Sequence, residues 1–465
     1  MKIKNRANLL LGAFLAVCLV PSVGMLVLPP QEAATNQVLA PPPQLRKADG
    51  SLNPTVLNET ADYVADHLGL RQEIITANAA LNAALFGVST QDQVVLGREG
   101  WLYYAETIPD HLGTEPMSEG ALFGAARSLA LLQEYVQSQG ARLYVTVAPN
   151  KATLYPQYLP DLGTPLPGES NLERLIPLLE GEGLSYVDLY TPLSQAGEIL
   201  YYRTDSHWTE PGAALAHDVL VEAMGKTDQT PFYGGATQPG PGKRGDLYEM
   251  LYPAGAGLEE EPVYQRGYAF TYARPMRGPE DQLIETASSK SGRLLMYRDS
   301  FGNSLHTYLA DAYGAALFSR SMPYDLSLLP QFQPDTVLLE ICERNLDWWG
   351  QQAPIFPAPI CALQGTPPVG EAQPTLSVQS DGRLPGMLRV EGVLRGAVDE
   401  TSPIYVQSGG VLYEACPVGD RSAGVPFALY VPQEGWDGRC AVLYQADQSL
   451  YTTPVVTESE RNDAT

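Results

Sequence analysis

Between residues 58 and 350 this chain alternates short apolar runs with stretches of helical period. That alternation restricts it to folds in which a parallel sheet is covered on both faces. Ala61 to Leu68 and Gln72 to Leu85 carry apolar residues at helical spacing, and Gly120 to Gly140 is a helix stopped by glycine. The runs Leu143 to Val147, Leu184 to Leu189, Arg293 to Tyr297 and Thr336 to Ile341 read as strands, and Val94 to Tyr104 reads as a hairpin. Pro211 to Ala223 and Ser300 to Ala312 read as helices. In sheets of this kind, chemistry sits beyond the carboxyl ends of the strands. Asn150, Asp205 and Ser300 all fall just after or near such an end.

Charge and length narrow the class further. The 465 residues exceed one compact core and predict two domains. With 29 basic against 53 acidic side chains the net charge is −24, which repels nucleic-acid phosphates and excludes nucleic acid as a partner. Lys2, Lys4 and Arg6 precede the uncharged apolar stretch Leu9 to Leu28, so residues 1–30 read as a signal peptide or membrane anchor and the body as extracytoplasmic, secreted or anchored. Residues 31–57, with Pro41-Pro42-Pro43, form a stiff stalk. The catalytic domain is assigned to 58–352 and a proline-rich linker to 353–374. Seven short alternating runs over 375–456 predict a small, independently folding β-sandwich, and 457–465 a disordered tail. Four cysteines lie in the body. They either pair as Cys342 with Cys361 and Cys416 with Cys440, one of three connectivities, or stay as thiols.

The residue pattern that carries chemistry is Thr204-Asp205-Ser206-His207-Trp208. A carboxylate two positions before an imidazole can hold one ring nitrogen and leave the other free to act as a base. Its partner is Ser300, in Arg298-Asp299-Ser300-Phe301-Gly302-Asn303, at a strand-to-helix turn where the helix terminus stabilises an oxyanion. Each half has a plain alternative, a solvated loop pair for Asp205 and His207 and an N-cap for Ser300. Together they form a serine triad.

These two blocks resemble the signatures of the bacterial alginate O-acetyltransferase group and the DHHW-motif proteins. Further matching stretches are Val94 to Tyr103, Ala148-Pro149-Asn150-Lys151, Leu154-Tyr155-Pro156 and Gly245-Asp246-Leu247. The resemblance covers about residues 58 to 350. It implies an SGNH-hydrolase-like three-layer αβα domain with a mostly parallel sheet. It also implies acetyl transfer onto an exported polysaccharide, often with a membrane-bound O-acyltransferase supplying the acetyl group; neither cofactor nor metal is expected. By motif, Ser300 is the nucleophile, His207 the base and later the acid, and Asp205 the orienting carboxylate. The backbone N–H of Ser300, with Asn150 or Asn303, would bind the oxyanion. Lys151, Arg298 and Arg344 either organise the site or, more commonly for such residues, form ion pairs with Asp299, Glu340 or Glu343. Trp208 either stacks on a sugar or, as favoured here, buttresses His207. Residues 226 to 290 are expected to lie over the site as a mobile cover. The acidic surface favours a neutral or zwitterionic glycan unless a local basic patch lines the groove. A carbohydrate esterase with the same triad and a non-catalytic export scaffold are the competing functions.

Overall fold

The computed structural model describes residues 2–28, 39–47, 49–226, 229–363, 365–419, 421 and 424–457. The tail from 458 and residues 31–38 of the expected stalk lie outside them. Val94–Leu96 (β1) and Leu102–Tyr104 (β2) form the expected hairpin. The main sheet is built from Arg142–Ala148 (β3), Tyr186–Val187 (β4), Phe270–Tyr272 (β7), Leu283–Ser288 (β8), Arg293–Tyr297 (β9), Ala315–Ser319 (β10) and Thr336–Cys342 (β11). A separate pair, Thr237–Pro239 (β5) and Pro262–Tyr264 (β6), lies between β4 and β7 in the chain. The order across the main sheet is β4-β3-β11-β9-β10-β8-β7. The five strands from β4 to β10 run parallel, and β8 and β7 close the edge antiparallel.

Strand alternation sends side chains to two cores. Leu294 and Met296 of β9, with Leu338 of β11, face the helices Glu210–Ala223 and Gly302–Ala312 through Leu220, Leu305 and Leu309. Leu295, Tyr297 and Leu339 face the helices Glu119–Ser138 and Asn171–Gly181 through Leu129, Leu132 and Leu175. Each such leucine taken fully out of water stabilises the fold by roughly 1.5–3 kcal/mol. Because both faces are buried, the central strands are continuous apolar runs, and β11 has every residue buried.

The strand-rich part of the chain comprises Ile360–Cys361 (β12), Gln373–Ser380 (β13), Met387–Arg395 (β14), Ile404–Ser408 (β15), Val411–Pro417 (β16), Val425–Pro432 (β17), Arg439–Ala446 (β18), Ser449–Thr452 (β19) and Val456–Thr457 (β20). The two packed sheets expected there are one curled antiparallel sheet, β13-β14-β17-β16-β15-β18-β19, with β12 on β16 and β20 on β18. Pairing runs unbroken because β16 serves both halves: Val411 to Ala415 pair with β15, and Cys416 and Pro417 pair with β17.

This sheet leans on the main-sheet unit instead of hanging from a free linker. Cys416 and Ala428 belong to the same core as the Glu119–Ser138 helix. Arg127 of that helix makes a two-pronged contact to Glu414, 2.7 and 2.9 Å, and reaches Glu182 at 2.8 Å. The proline-rich segment is likewise built in, with Ala353, Ile355 and Phe356 buried. Proline there supplies extended backbone that pairs in isolated bridges, Pro357 with Tyr430 for example. Among the described residues no disulfide forms: all four body cysteines are thiols, and burial pushes the Cys416 thiol up to about 12, which makes it inert.

An apolar helix runs from Lys2 to Val27, with Pro21 inside it. Among the described residues, no helix is long and apolar enough to cross a membrane.

Candidate active site

The loop from Tyr202 to Trp208 would be unstable alone, because its backbone polar groups point inward. Two side chains satisfy them. Lys151, in the turn after β3, donates to the carbonyls of Tyr202, Arg203 and Asp205 at 3.1, 3.1 and 2.6 Å. Glu259 accepts the N–H groups of Arg203 and Thr204 at 2.8 and 2.7 Å. Lys151 is buried, and loss of hydration lowers its ammonium to about 8. Its expected ion pair is absent because the carbonyls occupy its donors.

On this loop Asp205 is 1% exposed and His207 partly open. Asp205 Oδ1 accepts from His207 Nδ1 at 2.7 Å and from the His207 backbone N–H at 2.9 Å. Its Oδ2 accepts the Asp246 N–H at 3.0 Å and faces Lys243 Nζ at 3.6 Å. Burial works against the Asp205 anion, but His207, its hydrogen bonds and Lys243 outweigh it and hold the carboxyl below its usual range. A carboxylate can only accept, so Nδ1 carries the proton and Nε2 is left to accept. Ser300 Oγ stands 2.8 Å from His207 Nε2.

Ser300 reaches that point from the end of β9. Asp299 ties the turn to the neighbouring strand: its Oδ2 accepts the Cys342 N–H at 2.7 Å and the Asn345 side chain at 3.2 Å, while Oδ1 accepts the Phe301 N–H at 2.9 Å. The helix then starts at Gly302. A Cβ there would press on Arg298 and on Glu340, a fully buried carboxyl that burial and neighbouring Asp299 raise well above its usual range. Among the described residues the Ser300 N–H has no hydrogen-bond partner, which leaves it available to a ligand.

The other expected site residues separate. Trp208 is buried, donates from Nε1 to Ser304 Oγ at 2.7 Å and meets the Phe301 ring edge-on at 5.0 Å, so its contacts are inside the protein. Asn150 ends on the turn after β3, and β11 lies between β3 and β9, which keeps it out of the cleft around Ser300. The Asn303 carboxamide is held between Arg298 and Glu280 and does not line the cleft either. Arg298 is buried, lowered to about 10 by lost hydration, and donates to Asn303 and to the carbonyls of Pro279 and Asp281, not to a carboxylate.

Arg344 differs from these. It follows β11, the strand beside β9, and lines the cleft with Ser300 and His207. Its guanidinium lies 5.4 Å from the Tyr104 ring and 5.6 Å from the Phe301 ring. It forms no ion pair or hydrogen bond among the described residues, because its neighbours are already engaged: Glu343 accepts the Asn150 N–H and Thr153 hydroxyl, and Asp299 accepts from β11. The cleft holds about 990 Å³ and continues past Tyr104 and Met250 on one side and Arg320, Met322 and Trp348 on the other. Among its charged residues, Glu106, Asp246, Glu280 and Asp299 oppose Arg298, Arg320 and Arg344, so no basic patch forms.

Residues 94–302, which include both the His207 loop and Ser300, match the family model described as the SGNH hydrolase-like domain of acetyltransferase AlgX. This segment is similar to SGNH hydrolase-like domains. The resemblance carried by the two motif blocks therefore holds. A probable alginate O-acetylase AlgJ of Pseudomonas fluorescens is 32% identical over 162 residues, 34% of this chain and 39% of that protein. The Azotobacter vinelandii protein of the same name is 28% identical over 181 residues, 37% of this chain and 45% of that one. The chain thus spans about two fifths of the length of the curated relatives it matches. Among solved structures, the O-acetyltransferase domain of Pseudomonas putida AlgJ aligns with a TM-score of 0.38 at 19% identity, covering 55% of this chain and 92% of that one. A DHHW family protein from Eubacterium siraeum DSM 15702 aligns at 0.39 and 17% identity, covering 54% and 94%.

Asp246 and Lys243 are site residues that the reading of the sequence did not assign. Gly245-Asp246-Leu247 stood out as a matching block, yet nothing in it signals that Asp246 returns to His207. That return depends on Gly245, whose missing Cβ lets its backbone cross Thr204.

Proposed function

We propose that this chain is an extracytoplasmic O-acetyltransferase that moves acetyl groups onto hydroxyls of an exported or cell-surface polysaccharide. The single observation carrying the reading is the 2.8 Å contact of Ser300 Oγ with a His207 whose other nitrogen is held by buried Asp205, inside a segment that matches an acetyltransferase domain. In the first half-reaction Ser300 Oγ attacks the acetyl carbonyl carbon of an activated donor and gives its proton to His207 Nε2. The bond to the leaving group then breaks, and that group departs with the same proton. In the second, an acceptor hydroxyl gives its proton to Nε2 and attacks the acetyl carbon, and Ser300 recovers its hydrogen as the ester transfers. The carbonyl oxygen turned anionic in each half is met by the Ser300 N–H and the unpaired Arg344.

The acceptor is read from the cleft. Acids outnumber arginines along it, which favours a neutral or zwitterionic glycan, and Trp348, 37% exposed at its rim, offers a face for a pyranose ring. A membrane-bound O-acyltransferase supplying acetyl across the membrane completes the scheme.

Incubation with an activated acetyl ester should add one acetyl group to wild-type protein, mapped to Ser300, and none to Ser300→Ala. Partition of that intermediate toward glycan over water then separates transferase from esterase. No acylation of Ser300 would leave only the scaffold.

A further inference from the structure

Asp205 is not the only carboxylate beside His207. Asp246 Oδ2 lies 3.5 Å from His207 Nδ1. The same oxygen accepts the Ser206 hydroxyl at 2.5 Å, while Oδ1 accepts the Ser206 N–H at 2.7 Å. With its hydrogen committed to Asp246, the Ser206 oxygen turns a lone pair toward Nδ1, 3.2 Å away. Nδ1–H is therefore surrounded by three acceptors: Asp205 nearest, then Ser206, then Asp246. Asp246 also holds its rival in place, since its backbone N–H donates to Asp205 Oδ2.

Two carboxylates this close repel each other unless cations offset them. Lys243 Nζ lies 3.6 Å from Asp205, and Lys151 sits under the loop on the Asp205 carbonyl. The same arrangement argues against reading Asp205, His207 and Asp246 as a metal site, although their ligand atoms lie within 4.8 Å of one another. Both Asp205 oxygens are occupied by N–H donors, and an ammonium group stands where a metal would need free carboxylate.

We propose that Asp246, acting through Ser206, is a second carboxylate support of His207. It is a positioning residue that keeps Nδ1 protonated and the ring aimed at Ser300, and that stabilises the imidazolium formed in each half-reaction. It takes over this role when Asp205 is lost. The proposal rests on His207 acting as the base.

The test is a cycle on acetyl-enzyme formation. Asp205→Ala retains activity well above His207→Ala, whereas Asp246→Asn in the otherwise unchanged protein costs only a few-fold in kcat and leaves KM alone. Combining Asp205→Ala with Asp246→Asn, or with Ser206→Ala if the former misfolds, removes at least about 10-fold more than the product of the single effects, the coupling expected of residues in contact. In the resting protein, the downfield proton resonance of His207 Nδ1–H persists in Asp205→Ala and is lost in the double variants. Additive effects, or loss of that resonance already in Asp205→Ala, would overturn the proposal. A wild-type protein that fails to acylate Ser300 would refute the acetyltransferase reading instead, and the resonance would still decide the role of Asp246.

Discussion

A cation with no counter-ion in a cleft costs stability unless it has a use, and Arg344, which lines the cleft with Ser300, is such a cation. Burial works against its charge, while Cys342, Asp299 and Asp246 favour it, so it stays protonated throughout the accessible pH range. The Tyr104 and Phe301 rings fix the guanidinium without consuming its donors, which is the condition for a preorganised oxyanion site. Arg344→Ala should lower kcat for Ser300 acylation about 10²–10³-fold, the usual loss for an oxyanion donor, with little change in KM. Arg344→Lys should recover only part, since an ammonium has neither the planar fork nor the ring stacking. Equal loss of binding and rate in both variants would instead make Arg344 a substrate anchor.

At the level of elements, the site is held by stitches between strand ends, and one is sensitive to pH. Glu343, next after β11, uses Oε2 to accept the Asn150 N–H and the Thr153 hydroxyl, each at 2.7 Å, and so joins the β11 end to the turn after β3. Burial raises its carboxyl from 4.5 to about 7. A folded-state value above the unfolded one means that the fold favours the protonated form. The contribution is complete below about pH 4.5 and fades as pH rises through 7, by up to about 3 kcal/mol. Glu343→Gln keeps an acceptor oxygen and stays neutral, so it should melt higher than wild type at pH 8 and lose the decline between 4.5 and 7. Parallel Tm curves for the two proteins would refute this assignment.

The same strand ends show what was legible. β3, β9 and β11 stood out as buried apolar runs, and Asp205, His207 and Ser300 stood out by residue type and spacing. β8 and β10 did not: Leu283–Ser288 is mixed in character and Ala315–Ser319 is short, and they are fixed by pairing with one another and, for β10, with β9. The segment expected to cover the site as a mobile lid is largely built in, because β7 and β8 extend the main sheet and the helix Asp246–Leu251 contributes Asp246 and Met250 to the cleft. Its glycines and prolines suggested looseness, but Gly245 serves a close backbone crossing that composition does not reveal. Arg344 was legible as a candidate, whereas its lack of an ion pair was not, because that depends on which neighbours Glu343 and Asp299 already serve.

At the scale of the whole molecule, alternation predicted a self-sufficient β unit, but the alternation of a strand is silent about what covers its outer face. In β16, Ala415 belongs to the inner core of the curled sheet and Cys416, one residue on, to the core beneath the Glu119–Ser138 helix. Ser128 of that helix donates to the Pro417 carbonyl at 3.1 Å, and the Gly419 N–H to the Gly350 carbonyl at 2.6 Å. The helix also packs under β3 and β11, so it lies between Glu414 and the main sheet. Glu414→Ala would strand a largely buried Arg127 with Glu182 alone, at a cost of about 2–3 kcal/mol for lost charge-assisted hydrogen bonds. If the units are one cooperative body, that cost appears as a single melting transition shifted downward, with hydrogen-exchange protection falling together in β16 and in β3 and β11. A loss confined to β12 through β20, with β3 and β11 still protected and Ser300 acylation unchanged at the lower transition, would restore the β unit as an independent domain.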